Sequence, residues 1–324
     1  MTTVLVTGAG GFVGAHVVRE LRAAGCLVRA LSRRPEADAA IATLGAEPLR
    51  GDLDDEAALR RAVDGCDAVF HLAGDTRLWA PYAARIAETN LGGTERLLRA
   101  AEAAGVGAFV HTSSTSAWSH RVEGVIDEAV PQAGATSWIA YERSKWAGEQ
   151  AVRRSALPWV VLNPSHILGP GDRRNWARLI MMIDRGTLPG VPPGSGSFAD
   201  VREVARAHLQ AWQRGRFGQG YLLGGEHASF VDFARRVGER LGRRTPSRPL
   251  PRWLLIGIAH ASDAWGRLRR REPDVTPEGA ALTSHRLQVD SGRAVRELGY
   301  RITPLDALLD DTIAWMRAEG MVGR

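Results

Sequence analysis

Short apolar runs alternate with longer segments in which apolar residues recur every three or four positions through the first half of the chain. Short runs rich in Val and Leu are typical of strands buried in a parallel sheet, whereas the longer alanine-rich segments are typical of helices that cover such a sheet. The pattern predicts strands over residues 3–7, 27–31, 47–50, 68–72, 108–112 and 159–162. It predicts helices over residues 14–24, 55–63, 82–104 and 139–154. This succession predicts an α/β fold with a doubly wound parallel sheet.

The alternation of strands and helices stops after Pro164. The stretches "HILGPGD" and "GTLPGVPPGSGSF" are rich in Pro and Gly, which predicts long loops. Further on, "GQGYLLGG" has the composition of one more strand that returns to the sheet. We therefore expect a first domain over residues 1–170, to which residues 198–225 return, and a smaller, mostly helical cap over residues 171–324.

The composition is that of an ordinary globular protein, with 44% hydrophobic and 24% charged residues and a net charge of +6. The basic residues are scattered along the 324 positions, without the basic tail or aromatic-interleaved array that nucleic-acid binding uses. No nucleic-acid partner is predicted.

The two cysteines, Cys26 and Cys66, form no C-x-x-C pair, and no His/Cys cluster has zinc spacing. No metal site is predicted, and both thiols are expected to be buried in a reducing compartment. The chain begins "MTTVLVTGAGGFVG", which lacks the charged and apolar regions of a signal peptide. A cytoplasmic location is therefore expected.

A glycine-rich turn follows the first predicted strand in "VTGAGGFVG", and a helix is predicted to begin inside it. The glycines are Gly8, Gly10, Gly11 and Gly14. Glycine lets the backbone approach a pyrophosphate closely, and the positive N-terminus of the helix then binds it. The turn, including Phe12 and Val13, is therefore predicted to bind a dinucleotide cofactor.

The residues after the second predicted strand discriminate between the two nicotinamide dinucleotides. An NAD site places Asp or Glu there against the ribose hydroxyls, whereas an NADP site places an arginine near the 2′-phosphate. Here the chain reads "VRALSRRPEAD", with Arg33 and Arg34 at this position. NADP(H) is the expected cofactor, with NAD(H) as the alternative if both arginines are solvated surface charges.

The stretch "YERSK" contains the only lysine of the chain, Lys145, four residues after Tyr141. In a helix, residues four apart project from the same face. An ammonium beside a phenol would lower the pKa of Tyr141, and the pair could then exchange a proton with a carbonyl or alcohol oxygen. The alternative is an amphipathic surface helix on which the two residues are unrelated.

With these motifs the chain resembles the extended short-chain dehydrogenase/reductases, within the NAD(P)-dependent epimerase/dehydratase superfamily. The resemblance extends over nearly the whole chain, with the motifs in the family's order. They are "TGAGGFVG", "RGDLDD", "VFHLAG", "TNLGGTERLL", "VHTSSTSAW", "YERSK" and "LNPSHILGPGD". The resemblance implies a Rossmann fold, a nicotinamide cofactor and hydride transfer between that cofactor and a carbonyl or alcohol carbon.

The same resemblance implies roles for individual residues. Ser114 would donate a hydrogen bond to the substrate oxygen, and the neighbouring Ser113 is the competing assignment. Tyr141 would protonate that oxygen, and Lys145 would hold the nicotinamide ribose. The implied cofactor contacts outside the glycine turn are Arg33, Arg34, Asp52, Leu53, Ala73, Gly74, Tyr141, Lys145, Pro164, Ser165 and His166. Asn90 corresponds to an asparagine that ties a helix to the sheet in this family.

Three alternatives remain for the function. The chain resembles dihydroflavonol 4-reductases and 3β-hydroxysteroid dehydrogenases, but "DTRLWAP" and "YLLGGE" resemble bacterial hopanoid-associated sugar epimerases. Thr115 and Ser116 stand where sugar dehydratases carry an Asp-Glu pair, and Asn163 stands where the sugar branch commonly has an arginine. We expect an NADPH-dependent reductase of a hydrophobic or aromatic ketone or aldehyde, with a nucleotide-sugar epimerase as the alternative. A catalytically silent NADP-binding regulator is disfavoured by the intact catalytic residues.

Large aromatic residues follow the predicted strand ends or flank the predicted catalytic helix. Those expected to line the substrate pocket are Trp79, Trp118, Trp138 and Trp176. Aromatic walls favour a small hydrophobic substrate. The alternative for each of them is packing of the cap onto the sheet.

An apolar run over residues 253–259 is flanked by arginines in "RPLPRWLLIGIAHASDAWGRLRRR". The run is too short to span a bilayer. It is predicted to be a cap helix buried beside the substrate pocket, with peripheral contact to an anionic membrane as the alternative. The family resemblance also implies a homodimer formed through the helices predicted at residues 82–104 and 139–154.

Overall fold

The computed structural model describes residues 1–323. Its strands are β1 (Thr3–Thr7), β2 (Leu27–Ser32), β3 (Glu47–Arg50), β4 (Ala68–His71), β5 (Ala108–Thr112), β6 (Gly124–Ile126), β7 (Trp159–Pro164), β8 (His166–Leu168), β9 (Ser195–Asp200), β10 (Gln219–Leu223), β11 (Glu226–Ser229) and β12 (Leu287–Val289). Its helices are α1 (Phe12–Ala23), α2 (Asp38–Thr43), α3 (Glu56–Val63), α4 (Ala83–Ala87), α5 (Gly93–Ala103), α6 (Ala140–Arg154), α7 (Trp176–Asp184), α8 (Val201–Gln213), α9 (Phe230–Leu241), α10 (Arg252–Leu268), α11 (Pro277–Thr283), α12 (Gly292–Leu298) and α13 (Leu305–Ala318). A π-helical turn, Glu88–Gly92, joins α4 to α5.

Seven parallel strands form the main sheet in the order β10-β7-β5-β4-β1-β2-β3. In β1, Val4 and Val6 join the apolar core on the α1 side with Val17, while Leu5 joins Leu97 of α5 in the core on the other side. The strand order reverses direction between β1 and β4, which leaves a crevice at the carboxyl ends of the strands. The predicted doubly wound fold is confirmed, and "GQGYLLGG" supplies β10.

The C-terminal part adds two small sheets and most of the remaining helices. β9 pairs in parallel with β8 and antiparallel with β11, and β12 pairs in parallel with β6. Helix α8 packs against α1, and β10 extends the main sheet, whereas β9 belongs to a small sheet. On this basis we propose a first domain over residues 1–170, rejoined by α8 and β10, and a cap formed by the other elements after residue 171.

The segment predicted as one helix over residues 82–104 is interrupted by the π-helical turn between α4 and α5. The side chain of Asn90 is buried in this turn. At the start of α5, a Cβ on Gly93 would lie 2.9 Å from the Cβ of Leu53, so the helix begins close against the neighbouring loop. Helical periodicity does not reveal the interruption, because the residues on both sides of it are helix formers.

The apolar run over residues 253–259 lies in the first half of α10, and only one side of it is buried. Leu255 and Ala259 pack with Ala280 of α11, whereas Trp253 and Ile258 are exposed. The prediction that this run is buried is therefore wrong for its outer side. Consecutive apolar residues point to every side of a helix, and here a neighbouring element covers one side alone. No helix within residues 1–323 combines the length and the apolar content that a bilayer span requires.

Gly148 in α6 and Gly257 in α10 make a matched pair for testing how α6 is held. A Cβ on Gly148 would lie 2.5 Å from the carbonyl oxygen of Asn90, whereas a Cβ on Gly257 would have no neighbour within 4 Å. We expect Gly148→Ala to lower the free energy of unfolding by about 1–3 kcal/mol through overpacking. Gly257→Ala should raise it by about 0.5–1 kcal/mol, because alanine favours a helix interior. Urea denaturation measures both changes, and a Gly148→Ala protein as stable as the wild type would contradict the contact.

Candidate active site

Helix α6 presents Tyr141 and Lys145 one turn apart on the same face, above the carboxyl end of β5. The ammonium of Lys145 donates a hydrogen bond to the carbonyl oxygen of Thr112, the last residue of β5, at 2.8 Å. This bond lies where the strands end, which is the edge at which α/β proteins bind ligands. The helix and the strand thus bring the two predicted catalytic residues to the crevice.

Burial sets the protonation of both residues. It lowers the pKa of Lys145 to about 8, against the opposing effect of the Glu149 carboxylate. Burial also raises the pKa of Tyr141, a hydrogen bond with Ser114 opposes this shift, and the carboxylates of Asp75 and Glu142 add to it. The expectation that Lys145 lowers the pKa of Tyr141 is therefore reversed by desolvation and by two nearby negative charges. The phenol is protonated at neutral pH, as a proton donor must be.

The structure distinguishes the two candidate serines that follow β5. Ser114 is half-buried, lies close enough to Tyr141 to lower the pKa of the phenol, and accepts a hydrogen bond at its Oγ from the backbone N–H of Ser116 at 3.1 Å. The hydroxyl of Ser113 is buried and has no hydrogen-bond partner within residues 1–323. The geometry therefore brings Ser114, and not Ser113, to the tyrosine.

The glycine turn packs against the loop that follows β4. Gly8 has a φ of +76°, and a Cβ there would lie 2.8 Å from the backbone nitrogen of Ala73. A Cβ on Gly14 would lie 2.1 Å from the carbonyl oxygen of Gly8, so only glycine permits this approach of α1 to the turn. Gly11 precedes α1 without a side-chain cap. The first N–H groups of α1 are thus free of a capping side chain, as an anion site requires. Gly10 lies in the turn, and Phe12 and Val13 are the first residues of α1.

Asn90 joins the loop after β4 to the catalytic helix. Its Oδ1 accepts a hydrogen bond from the backbone N–H of Asp75 at 2.7 Å, and its Nδ2 donates to the carbonyl oxygen of Asp75 at 2.9 Å and to Ser144 Oγ at 2.8 Å. A Cβ on Gly74 would lie 3.1 Å from Asn90 Oδ1 and 4.0 Å from the ammonium of Lys145. Gly74, an implied cofactor contact, therefore lies beside Lys145.

The predicted adenosine end of the site lies at the carboxyl ends of β2 and β3. Arg33 follows β2, is exposed, and holds its guanidinium 3.6 Å from the carboxylate of Asp52. Arg34 is also exposed, whereas Leu53 is buried. The loose, solvated ion pair leaves the guanidinium of Arg33 available for a phosphate.

The predicted nicotinamide end begins at the last residue of β7. Pro164 ends that strand, and the backbone N–H of Ser165 donates to the carbonyl oxygen of Leu223 at 2.9 Å. The imidazole of His166 packs against the rings of Trp176 and Phe198, with centroids 5.1 and 5.8 Å away. Burial lowers the pKa of His166 to about 4, so this ring is neutral and part of an aromatic cluster.

The four tryptophans predicted to line the substrate pocket do not form one wall. Trp79 and Trp118 are buried, and their indole N–H groups donate to Asp263 and to the carbonyl oxygen of Val130, each at 2.7 Å. Trp138 is exposed. Trp176 is the one that packs beside His166. The first two serve the packing of loops, which leaves Trp138 and Trp176 as candidates for substrate contact.

The sequence analysis missed two polar residues of this region, Glu142, which follows Tyr141, and His285, whose pKa the charge of Glu142 affects. Glu142 is fully buried and accepts hydrogen bonds from Ser119, Ser137 and His120. The signal for Glu142 was its place inside "YERSK", next to the tyrosine. His285 has a buried Nε2 without a hydrogen-bond partner within residues 1–323. It lies outside every motif, so no local pattern pointed to it.

Comparisons with known proteins agree with the fold and with the family resemblance. A profile of the NAD dependent epimerase/dehydratase family matches residues 4–224. The chain is 33% identical to "Sterol demethylase protein B" of Methylococcus capsulatus, over 99% of this chain and 100% of that protein. It is 31% identical to a "Putative dihydroflavonol 4-reductase" of Synechocystis, over 98% and 95% of the two chains. The crystal structure of PA4631, a nucleoside-diphosphate-sugar epimerase from Pseudomonas aeruginosa, superposes with a TM-score of 0.78 at 28% identity, over 99% of each chain.

The lowered pKa of Lys145 predicts a pH dependence of cofactor binding. The ammonium is lost as the pH rises through about 8, so a cofactor that needs its hydrogen bonds should bind more weakly above that pH. Arginine keeps its charge throughout this range. We therefore expect the NADPH dissociation constant of the wild type to rise above pH 8, whereas that of Lys145→Arg should be weaker at neutral pH and flat with pH. Fluorescence titration measures both profiles, and parallel profiles would contradict a role of Lys145 in binding.

Proposed function

Because the chain belongs to the NAD dependent epimerase/dehydratase family, it is an NAD(P)-dependent oxidoreductase, and we propose that it reduces the carbonyl of a hydrophobic or aromatic ketone or aldehyde with NADPH. The reverse reaction oxidises the alcohol. The observation that carries the proposal is a protonated Tyr141 at the crevice, close to the hydroxyl of Ser114 and one helical turn from Lys145. A carbonyl that becomes an alcohol needs a proton donor of this kind at its oxygen.

Ser114, Tyr141 and Lys145 each have a separate role in the proposed reaction. The bound nicotinamide supplies the hydride in reduction and accepts it in oxidation. Ser114 donates a hydrogen bond to the carbonyl oxygen, which gains negative charge as the hydride arrives. Tyr141 then gives its proton to the same oxygen, since burial keeps the phenol protonated until that charge develops. Lys145 would hold the nicotinamide ribose, and its ammonium would stabilise the phenolate that Tyr141 becomes.

An apolar substrate is supported by the aromatic cluster beside the nicotinamide end. Phe198, Phe230 and Phe233 pack with Trp176 and close one side of His166. Two relatives that are similar to this chain over nearly its whole length have names that refer to a sterol and to dihydroflavonol.

A nucleotide-sugar epimerase is the second candidate, because a nucleoside-diphosphate-sugar epimerase shares the fold over 99% of both chains. In this chain, however, Asn163 is buried and donates to Glu149 Oε2 at 2.7 Å, so the side chain at this position is not available to a nucleotide. The absence of an Asp-Glu pair at Thr115 and Ser116 further disfavours proton shuttling at the neighbouring carbons. We therefore place reduction first.

We also propose that the protein acts as a cytoplasmic homodimer. The interface would form through α4, α5 and α6. Helix α6 packs against both α4 and α5, and Asn90, between α4 and α5, bonds Ser144 of α6 on the inner side. Their outer sides would then meet those of a second copy around a two-fold axis. A molecular mass measured by light scattering distinguishes the dimer from the monomer.

NADP preference is predicted to depend on Arg33. Its exposed guanidinium can bind the 2′-phosphate through paired, charge-assisted hydrogen bonds, whereas the loose contact with Asp52 is easily replaced. Replacing Arg33 by Asp should weaken NADPH binding by about tenfold or more and leave NADH binding nearly unchanged. Arg34→Asp should have a smaller effect and serves as the control. Calorimetric titration gives the six dissociation constants, and a wild type that prefers NADH would refute the assignment.

The proposed reaction is tested by incubating the protein with NADPH or NADH and a panel of apolar ketones and aldehydes beside UDP-sugars. Nicotinamide absorbance reports reduction, and sugar analysis reports epimerisation. We expect NADPH consumption that depends on the ketone and no change in the sugars. Epimerised sugar without net loss of cofactor would support the second candidate instead.

Two variants make that test specific for the site. Tyr141→Phe removes the proton donor and should lower turnover by about 10²-fold or more while it still binds NADPH. Lys145→Arg keeps the charge and the helix but not the compact ammonium, and should lose turnover to a similar extent. Near-wild-type turnover of either variant would show that the observed activity does not depend on this site.

A further inference from the structure

The two sides of α10 differ sharply in their surroundings. On the inner side, Leu255, Ala259 and Gly266 are buried. On the remaining surface, the exposed large apolar residues are Trp253 (73%), Ile256 (36%), Ile258 (43%), Trp265 (56%) and Leu268 (75%). An apolar surface that is concentrated on one helix marks an interaction site more often than a solvated surface.

These residues lie on the outer side and the flanks of the helix. At 3.6 residues per turn, Trp253, Trp265 and Leu268 fall on the side away from the buried line, and Ile256 and Ile258 lie on its two flanks. The same side carries Gly257, Ala261 and Ala264, all exposed, and the partly buried Leu254. One polar side chain, that of the exposed His260, lies on this side, between Trp253 and Arg267 around the helix. We call this mainly apolar side the outer face of α10.

Arginines surround the outer face of α10. The exposed arginines within the helix and beside its two ends are Arg248, Arg252, Arg267, Arg269, Arg270 and Arg271. The acidic residue of the helix, Asp263, is turned toward the protein, where it pairs with Arg267 and accepts a hydrogen bond from Trp79. The other five arginines form no ion pair with a carboxylate of residues 1–323. The surroundings of the apolar face are therefore positive and not neutralised by the protein.

We infer that the outer face of α10 docks the protein on an anionic lipid bilayer, with the helix axis parallel to the membrane surface. An amphipathic helix with tryptophan and leucine on one side and arginine at its borders is suited to the boundary between headgroups and acyl chains. The guanidinium of Arg269 already lies 4.4 Å from the ring centroid of Trp265, an arrangement in which the ring enters the interface and the cation stays at the phosphates. The 17 residues of α10 have room to lie flat, and the helix does not span the membrane.

The charge pattern favours lipid over a second copy of the chain. In a dimer formed through this face, the two-fold axis would place α10 against α10 and bring the same arginines together. Like charges facing each other across an interface oppose association. Anionic phosphates, by contrast, complement these arginines, each of which strengthens membrane binding by about fivefold near a negatively charged surface.

The docking helix is linked to the candidate active site. Trp79, whose indole donates to Asp263 at 2.7 Å, packs edge-on against Tyr82 and lies four residues after Asp75. Asp75 is the residue that Asn90 holds and whose charge acts on Tyr141. A lipid-dissolved substrate would therefore reach the enzyme on the side where this loop lies. This last step rests on the proposed function, whereas the docking itself does not.

Vesicle flotation tests the docking directly. The full-length protein is mixed with phosphatidylcholine vesicles, with or without phosphatidylglycerol, at low and at physiological salt. We expect co-flotation with the anionic vesicles that weakens as salt rises, and little with the neutral ones. The variant Trp253→Ser/Trp265→Ser should lose it, whereas Ile302→Ser, at a position that is 50% exposed elsewhere on the surface, should not.

A charge variant separates lipid from other occupants. Arg269→Gln/Arg271→Gln should reduce binding to anionic vesicles by more than tenfold, and Arg185→Gln, an exposed arginine of another helix end, should leave it unchanged. Unaltered melting temperature and NADPH affinity show that each variant is folded. Absence of flotation of the wild type at low salt overturns the inference. A tryptophan double variant that still floats also overturns it. If the double variant has a different molecular mass in solution from the wild type, the face is a protein interface and the inference fails as well.

Discussion

The side-chain amide of Asn90 holds the two halves of the candidate site in register. Its three hydrogen bonds reach both backbone groups of Asp75 in the loop after β4 and the hydroxyl of Ser144 on the catalytic helix. Each bond contributes only about 1 kcal/mol on balance, but leaving such buried groups unpaired would cost more. Asn90 lies in a π-helical turn. The wider turn changes which residue faces inward, so the side chain of Asn90 points inward where a regular α-helix would place a different residue. Gly74 and Gly148 on either side have no side chain that would block these contacts.

Burial, more than the contact between charges, governs the electrostatics of the site. The same desolvation that lowers the pKa of Lys145 raises that of Tyr141, so each group is shifted toward its neutral form. Glu149 limits the shift on the lysine, and it is in turn held by Asn163 and Arg153. A guanidinium would not fit this arrangement, because it is wide, planar and unable to approach neutrality. This is a physical reason for a single lysine in a chain that otherwise uses arginine.

The main sheet was predictable from the sequence, whereas the surroundings of the site were only partly so. Central parallel strands such as β1 and β5 are buried on both faces, so their apolar runs stand out without any tertiary information. The π-helical turn at Asn90 and the short strands β8 and β11 depend on contacts between distant segments, which periodicity does not record. Likewise, the sequence marks 253–259 as apolar but does not say which side of that helix finds a neighbour, and burial of Trp79 follows from Asp263, 184 positions away.

Lys145 is the only lysine among the 324 residues. A reagent that modifies lysine side chains would therefore find a single target among them, in the crevice. An isotopic methyl group introduced there by reductive methylation would give a magnetic-resonance signal free of overlap from other lysines. The scarcity of this residue type makes the proton affinity of a single side chain at the candidate site directly observable in the natural sequence.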